Sequence, residues 1–338
     1  MSLPMLIEGM MNLKILALSL IISGLPVFAQ QMPPGNLAHT FSIIAVDSTT
    51  GEIGAAVQSH WFSVGSLVIW AEPGVGAVAT QSFVNPSYGP RGLALMKSGL
   101  SPRQTLDMLL EEDEGREFRQ AALIDTRGNS VAYTGEKCIE DAGHLTGKYY
   151  SVQANLMLNE TVWPAMEKAF KNTKGSLAER LVAALEAAQN AGGDIRGKQS
   201  AALLVVRAKS SGKIWEDKLI DLRVEDNPDP VKEMKRLLMV HQAYQYMNAG
   251  DLAVEKGDDT GALREYSTAE KMQPDNLEMK YWHAVALANM GKLGDALPMF
   301  KYIFLQDSNW KMLTPRLVKP GLLKISESEL QRILDQTD

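Results

Sequence analysis

The chain has 338 residues, 45% of them apolar, which is enough for a sizeable core and, by length, for two domains. A formal charge of −6 and a pI near 5.5, with no basic run interleaved with aromatics, argue against a nucleic-acid surface and for small molecules or proteins as partners. The lone cysteine, Cys138, excludes an intrachain disulfide and a multi-cysteine metal site, and reads as a small buried residue.

At the N-terminus, Lys14 precedes an apolar run from Ile15 to Ile22, and Val27-Phe28-Ala29 supplies a small-residue cleavage site before Gln30. Residues 1–29 therefore read as a secretory signal peptide, which places the mature chain in the periplasm or outside the cell. Met11 is a more natural start than Met1, whose extension adds Glu8 to a section that should be cationic. No other stretch approaches the roughly 20 apolar residues of a membrane-spanning helix.

Residues 39–59 read as two strands around the turn Asp47-Ser-Thr-Thr-Gly-Glu. Phe41 to Val46 is apolar on both alternating faces except at Ser42, the pattern of a strand buried between two layers. Trp61 to Ala71 and Val75 to Phe83 read as further strands. Asn85-Pro-Ser-Tyr-Gly-Pro-Arg-Gly then leads into a helix ending near Gly99, and Ser101-Pro-Arg-Gln is a capping box with Pro at the first helical position. Ala121 to Asp125 and Ser130 to Tyr133 form a hairpin, and Tyr149 to Met157 a strand. Asn159 is placed to cap a helix over Trp163 to Phe170. Ser176-Leu-Ala-Glu opens another that stops at Gly192-Gly193, and strands follow at Ser200 to Arg207 and Lys218 to Val224. Strands apolar on both faces need cover on both sides. The order strands, helix pair, strands, helix pair, strands points to an α+β, four-layer αββα sandwich over residues 38–228, with a single covered sheet as the other solution.

Asp226-Asn-Pro-Asp-Pro marks a boundary, and residues 229–338 turn wholly helical. Gly250, Gly257, Ala262, Tyr266, Ala269 and Pro274 recur 34 residues later as Ala284, Gly291, Ala296, Phe300, Ile303 and Ser308. This period resembles tetratricopeptide repeats, which would offer a groove to a protein or peptide partner, with Ser326 to Leu334 as a capping helix. Packing of these helices on the first domain, as a lid or dimer surface, is nearly as well supported.

Three polar stretches sit where a scaffold displays functional groups. Around Gln81, Asn85, Tyr88 and Arg91 a helix start is suited to an anion, although Asn85 and Ser87 serve equally well as caps. In the loop read at Ala142-Gly-His-Leu-Thr-Gly, His144 is a candidate general acid or base, and Asn155 beyond it a candidate oxyanion donor. Gly192-Gly-Asp-Ile-Arg-Gly-Lys-Gln-Ser packs Asp194, Arg196, Gln199 and Ser200 before a buried strand, as substrate-binding groups or as a loop held by Asp-Arg pairing. The histidines have no metal-ligand spacing, and no Gly-x-Ser-x-Gly elbow, Walker loop or dinucleotide fingerprint occurs in context, so neither a metal nor another cofactor is expected. A hydroxyl at the head of a buried strand beyond a removable leader, Thr40, remains as the nucleophile. A free N-terminal Thr needs no triad, since its own α-amine, with a pKa of about 8, serves as base.

The segments His-Thr-Phe-Ser-Ile-Ile-Ala, Asn-Pro-Ser-Tyr-Gly-Pro-Arg-Gly, Ala-Gly-His-Leu-Thr-Gly and Gly-Gly-Asp-Ile-Arg-Gly-Lys-Gln-Ser-Ala-Ala occur in order between residue 39 and about residue 230. They resemble the family catalogued as domain of unknown function 1028, which is grouped by fold with the N-terminal-nucleophile hydrolases. The resemblance implies hydrolysis of a small amide or other C–N bond, with Thr40 in the nucleophile position. Signal cleavage after Ala29 leaves Gln30 to His39 in front of Thr40, so a second cleavage is required. Without it, the chain is a hydrolase-like binding protein that recruits partners through its helices.

Overall fold

The computed structural model describes residues 36–337. The expected signal peptide, with Met11 and Lys14, lies outside the described residues. The described residues form one compact unit, a sheet region followed by a helical region.

Two antiparallel sheets make the first region. One joins β1 (Asn36–Ala38), β5 (Gly76–Val84), β6 (Arg119–Asp125) and β7 (Ser130–Thr134) in that order, with β4 (Ile69–Glu72) also paired to β5. The other runs β11 (Lys218–Val224), β10 (Ser200–Val206), β3 (Ile53–Ser59), β2 (Thr40–Val46), β9 (Tyr150–Ala154), β8 (Gly143–Gly147). Their inner faces meet through Ile44, Val46, Ile53, Ala55 and Val57 on one side and Ala77, Ala79, Ala122 and Ile124 on the other. The outer face of the first sheet, with Val78, Ala121 and Leu123, is covered by α1 (Tyr88–Lys97) and α2 (Pro102–Glu111). Phe41, Ile43, Val152, Leu203 and Val205 on the other outer face meet α3 (Val162–Asn172) and α4 (Leu177–Asn190). The layers are thus helices, sheet, sheet, helices, and each strand buried on both faces finds cover on both.

Local chemistry sets the helix starts. Ser101 and Ser176 each accept from the backbone N–H three residues on and are answered by Gln104 and Glu179, as the capping-box spacing requires. Helix α3 departs from expectation by beginning after Thr161, whose N–H donates to Asn159 Oδ1, so Asn159 forms the turn before the cap rather than the cap itself.

Other departures concern strands. Trp61 to Ala71 is not one strand: a 3-10 turn at Val64–Ser66 interrupts it, with Ser63 left-handed at φ 54°, and only β4 remains extended. Ser200 imposes this turn by donating to Trp61 O at 2.5 Å and accepting from Val64 N at 3.1 Å. The glycine-flanked stretch around His144, read as a loop, is strand β8. Its end glycine makes room for a ring, since a Cβ on Gly143 would lie 2.6 Å from Trp163. The leader before Thr40 is likewise not loop throughout, since Asn36–Ala38 pairs with residues 82–84 as β1.

Beyond the single turn α5 (Ile214–Asp217), α6 (Pro230–Glu255) serves both parts of the unit: Val231, Met234 and Leu238 complete the sheet-side core, while Ala243 and Met247 pack with Ala262, Tyr266 and Ala269 of α7 (Asp259–Met272). Helices α8 (Leu277–Asn289) and α9 (Leu293–Gln306) pair in turn around Ala284, Ala296, Phe300 and Ile303. A short helix α10 (Asn309–Leu313) and α11 (Glu327–Leu334) follow, α11 opened by a capping box at Ser326. Tyr266 seats its ring on Gly250, where a Cβ would come within 2.7 Å of it. Gly250→Val should therefore cost roughly 1–3 kcal/mol by overpacking. Urea unfolding would read this as a lower midpoint, and an unchanged midpoint would show that the helix pair yields freely.

Candidate functional site

The space between the sheets is graded. At one end it is filled by the apolar side chains above; at the other by Thr40, Ser42, Ser59, Gln81, Gln120, Gln153 and Asn155, all fully buried. Such polar groups are tolerable only when bonded to one another.

The polarity of the network follows from one residue. Gln120 Nε2 donates to the backbone carbonyls of Ala154 at 2.9 Å and Gly143 at 3.2 Å, so its Oε1 must point the other way. That oxygen accepts from Asn155 Nδ2 at 2.9 Å and Gln81 Nε2 at 2.7 Å. Both of these amides also reach Thr40 O, at 3.4 and 3.1 Å, alongside Asn155 N at 3.1 Å. Gln81 Oε1 is left to accept from Ser42 Oγ at 2.6 Å, and Ser42 in turn accepts from Gln153 Nε2 at 2.6 Å. Asn155 Oδ1 is left facing His39, whose Nδ1 lies at 2.8 Å and must carry the proton.

His39 is the single residue between β1 in one sheet and β2 in the other. Its ring is 2% exposed, stands edge-on to Phe83 at 5.7 Å, and leaves Nε2 with no partner among the described residues. Burial lowers its pKa below the ordinary 6.5; Asn155 works against the shift and Arg196 with it. The His39 carbonyl, at the bond preceding Thr40, accepts from Ser59 Oγ at 2.5 Å and Arg196 Nη2 at 2.9 Å. Asp194 fixes that guanidinium through two bonds, at 2.7 and 3.0 Å. Thr40 Oγ1 donates to Ala38 O at 2.5 Å. Ser82, opposite Ala38 in the ladder, and Leu156, which follows Asn155, are both left-handed, at φ 73° and 58°. Strain on side-chain-bearing residues at both flanks marks this as a place the fold over-determines.

Of the residues singled out by sequence, Thr40, Asn155, Arg196 and Asp194 converge here. His144 stands further off on β8, its Nδ1 2.8 Å from Thr134 Oγ1, which in turn lies 2.9 Å from Gln120 Nε2. His144 is thus linked to Thr40 through Thr134, Gln120 and then Asn155 or Gln81. Gln199 turns outward to Asp226, and Ser200 is occupied with the 64–66 turn.

The helix start at Asn85, Tyr88 and Arg91 is not an open anion site. Asn85 Nδ2 and the buried Tyr88 hydroxyl donate to Asp113, at 3.1 and 3.0 Å, and Arg91 pairs with Glu112 at the surface. Asp113 answers Arg119, which is 2% exposed and clamps the Phe83 carbonyl at 2.6 Å, so this cluster fixes the strand that carries Phe83. Cys138 is half-buried and donates to Arg119 O at 3.3 Å. Ser59 and Gln120 were missed by sequence reasoning, and Gln81, read with the Asn85 helix start, instead joins Gln120 and Thr40 O. Both missed residues lie in short polar stretches at strand ends, Gln58-Ser59 closing β3 and Arg119-Gln120 opening β6, and that position was the available signal. Among the described residues no cluster of His, Cys, Asp and Glu is placed to hold a metal, and no helix is long and apolar enough to cross a membrane.

The profile described as "Family of unknown function (DUF1028)" matches residues 40–234. The chain belongs to the DUF1028 family. It is similar to the crystal structure of protein SPO2555 from Silicibacter pomeroyi, a DUF1028 protein, at 30% identity and a TM-score of 0.54, over 60% of this chain and 88% of that one. Anbu (ancestral beta-subunit) from Yersinia bercovieri aligns with 58% of this DUF1028 chain and 92% of its own at 11% identity, with a TM-score of 0.31, too slight a likeness to bear on fold or function. No curated protein matches the chain.

Two outcomes follow from the electrostatics. His39 and His144, the latter also held below the ordinary value by burial and by Arg103, are neutral in the fold, so the unfolded chain takes up protons first as pH falls through about 6.5. Stability should therefore be full above that value and decline below it. A melting series from about pH 7.5 to about pH 5 should show the loss, with a shallower slope in His144→Gln; a flat profile would contradict it. Burial alone would raise the Asp113 pKa, but bonds from Arg119, Asn85 and the Gly115 N–H hold it at about 2. Asp113→Asn leaves the buried guanidinium without its carboxylate and should cost roughly 3–5 kcal/mol by denaturant titration.

Proposed function

We propose that this DUF1028 protein is an exported amidohydrolase of the N-terminal-nucleophile type, acting on an amide or other C–N bond, with Thr40 as nucleophile once the His39–Thr40 bond has been cut. The carrying observation is the His39 carbonyl: Ser59 Oγ and Arg196 Nη2 converge on its oxygen, and a hydroxyl-bearing residue follows it directly. Two donors on one carbonyl, one of them a cation, are what an addition step needs to hold the negative oxygen that develops. The layered sheets, and a family match that opens at Thr40, support the same reading.

In the cut, Thr40 Oγ1 gives up its bond to Ala38 O and adds to the His39 carbonyl carbon. Its proton passes to the Thr40 nitrogen as the C–N bond breaks, leaving an ester. Water hydrolyses the ester to a His39 carboxylate and a Thr40 with free amine and hydroxyl. In turnover the freed α-amine of Thr40 takes the hydroxyl proton as Oγ1 adds to the substrate carbonyl carbon, and passes it to the substrate nitrogen as the C–N bond breaks. Water then hydrolyses the ester to the acid and restores the hydroxyl. Ser59 and Arg196 remain as the donors. Asn155 is assigned to orientation instead, since its amide already serves Gln120 and Thr40 O.

The helical region is assigned as tetratricopeptide-like, with a groove for a protein or peptide, on the strength of the 34-residue period and the Tyr266–Gly250 and Phe300–Ala284 packing. The charged, apolar and small-residue sections before Gln30 support export.

Intact mass and N-terminal sequencing of exported material should find a species beginning at Thr40. Thr40→Ala should remain uncut and inactive with its fold intact, and Thr40→Ser should retain activity. Arg196→Met should slow the cut by roughly 100-fold. Protein that keeps Gln30 at its N-terminus and is fully active as Thr40→Ala would sink the mechanism. An uncut, inactive chain would leave a binding module.

A further inference from the structure

The residues in front of Thr40 do more than block it. Asn36, Leu37 and Ala38 lie antiparallel on β5, opposite Val84, Phe83 and Ser82, on the same strand edge that β4 occupies further along. Removing them would bare the backbone groups of residues 82–84, and a bared edge takes up another extended chain. Resting on the function proposed above, we infer that the ground covered by residues 36–39 is the acyl-side subsite for an extended peptide, and that its innermost pocket selects a flat side chain able to donate a hydrogen bond, histidine above all.

The selection follows from the polarity of the buried network. Gln120 is fixed by two backbone carbonyls, so Asn155 must spend its Nδ2 on Gln120 and offer Oδ1 to the pocket. The pocket therefore presents an acceptor. Phenylalanine would fill the space against Phe83 but leave that oxygen unsatisfied. Aspartate or glutamate would set oxygen against oxygen. Lysine or arginine would bring a charge into a buried pocket beside Arg196, which Asp194 already neutralises. Exposed apolar side chains on the neighbouring loops, Leu158 and Ile195, offer contact for the peptide as it leaves the pocket.

The test uses the full exported chain after maturation, with its N-terminus fixed by mass. Calorimetry with acetyl-Asn-Leu-Ala-X acids, and hydrolysis of the matching aminomethylcoumarin amides, should rank X as His, then Phe, then Asp. The step from His to Phe should be roughly tenfold in Kd or kcat/KM, for the Asn155 oxygen left unpaired, and that from His to Asp roughly a hundredfold, since a buried carboxylate also sets its own oxygen against it. Acetyl-His amide without the three preceding residues should lose roughly tenfold or more, and Phe83→Ala should shrink the preference for His. A matured protein that hydrolyses other amides but neither binds nor ranks these peptides overturns the subsite and leaves the proposed function standing. A chain that never exposes Thr40 overturns both.

Discussion

The site depends on the orientation of one buried amide. Backbone carbonyls cannot turn, and Gln120 Nε2 is held by two of them, from Ala154 at the end of β9 and Gly143 at the start of β8. Every later choice is forced by the need to match donor to acceptor where no water can compensate: Asn155 and Gln81 give their N–H groups to Gln120 and to Thr40 O, Ser42 gives its proton to Gln81, and His39 faces an acceptor. A chain of such bonds also stiffens the end of the sandwich where Thr40 begins its strand.

Geometry adds a second constraint. Only His39 separates a strand of one sheet from a strand of the other, so the bond before Thr40 crosses the interlayer space. Its carbonyl is turned toward Ser59 and Arg196, and the left-handed Ser82 and Leu156 lie on either side. Strain is tolerated there because the ladders of both sheets and the Asp113–Arg119 clamp on Phe83 hold the flanks. The helical region is tied to the same frame, since the first turns of α6 complete the core behind β10 and β11.

Local rules made much of the chain legible. The capping boxes at Ser101 and Ser176 begin helices as read, and one at Ser326 opens the expected last helix, because a hydroxyl and an acceptor three residues on satisfy each other without help from the rest of the fold. Strands β2, β3, β5, β6 and β10 were readable because apolar residues on both faces leave only a doubly covered position. Where the readings failed, a distant partner decided. Strand β1 exists because residues 82–84 offer an edge, β8 because β9 pairs with its glycine-rich sequence, and the turn at Val64–Ser66 because Ser200 reaches across to it.

The candidate site divides in the same way. Thr40, Asn155, Asp194 and Arg196 stood out in sequence as polar residues at the ends of buried strands or in a glycine-rich turn, but nothing local could separate them from Asn85, Tyr88, Gln199 or Ser200. By itself the sequence determined the order of strands and helices, most helix starts and the residue types available for chemistry, since these follow from periodicity and short-range bonding. Only the tertiary structure decided which polar groups share a buried space, which way each amide points and which carbonyl Arg196 serves. Hydrogen bonds between residues more than a hundred positions apart, such as His39 to Asn155 and Arg196 to His39, leave no periodic trace in the chain that makes them.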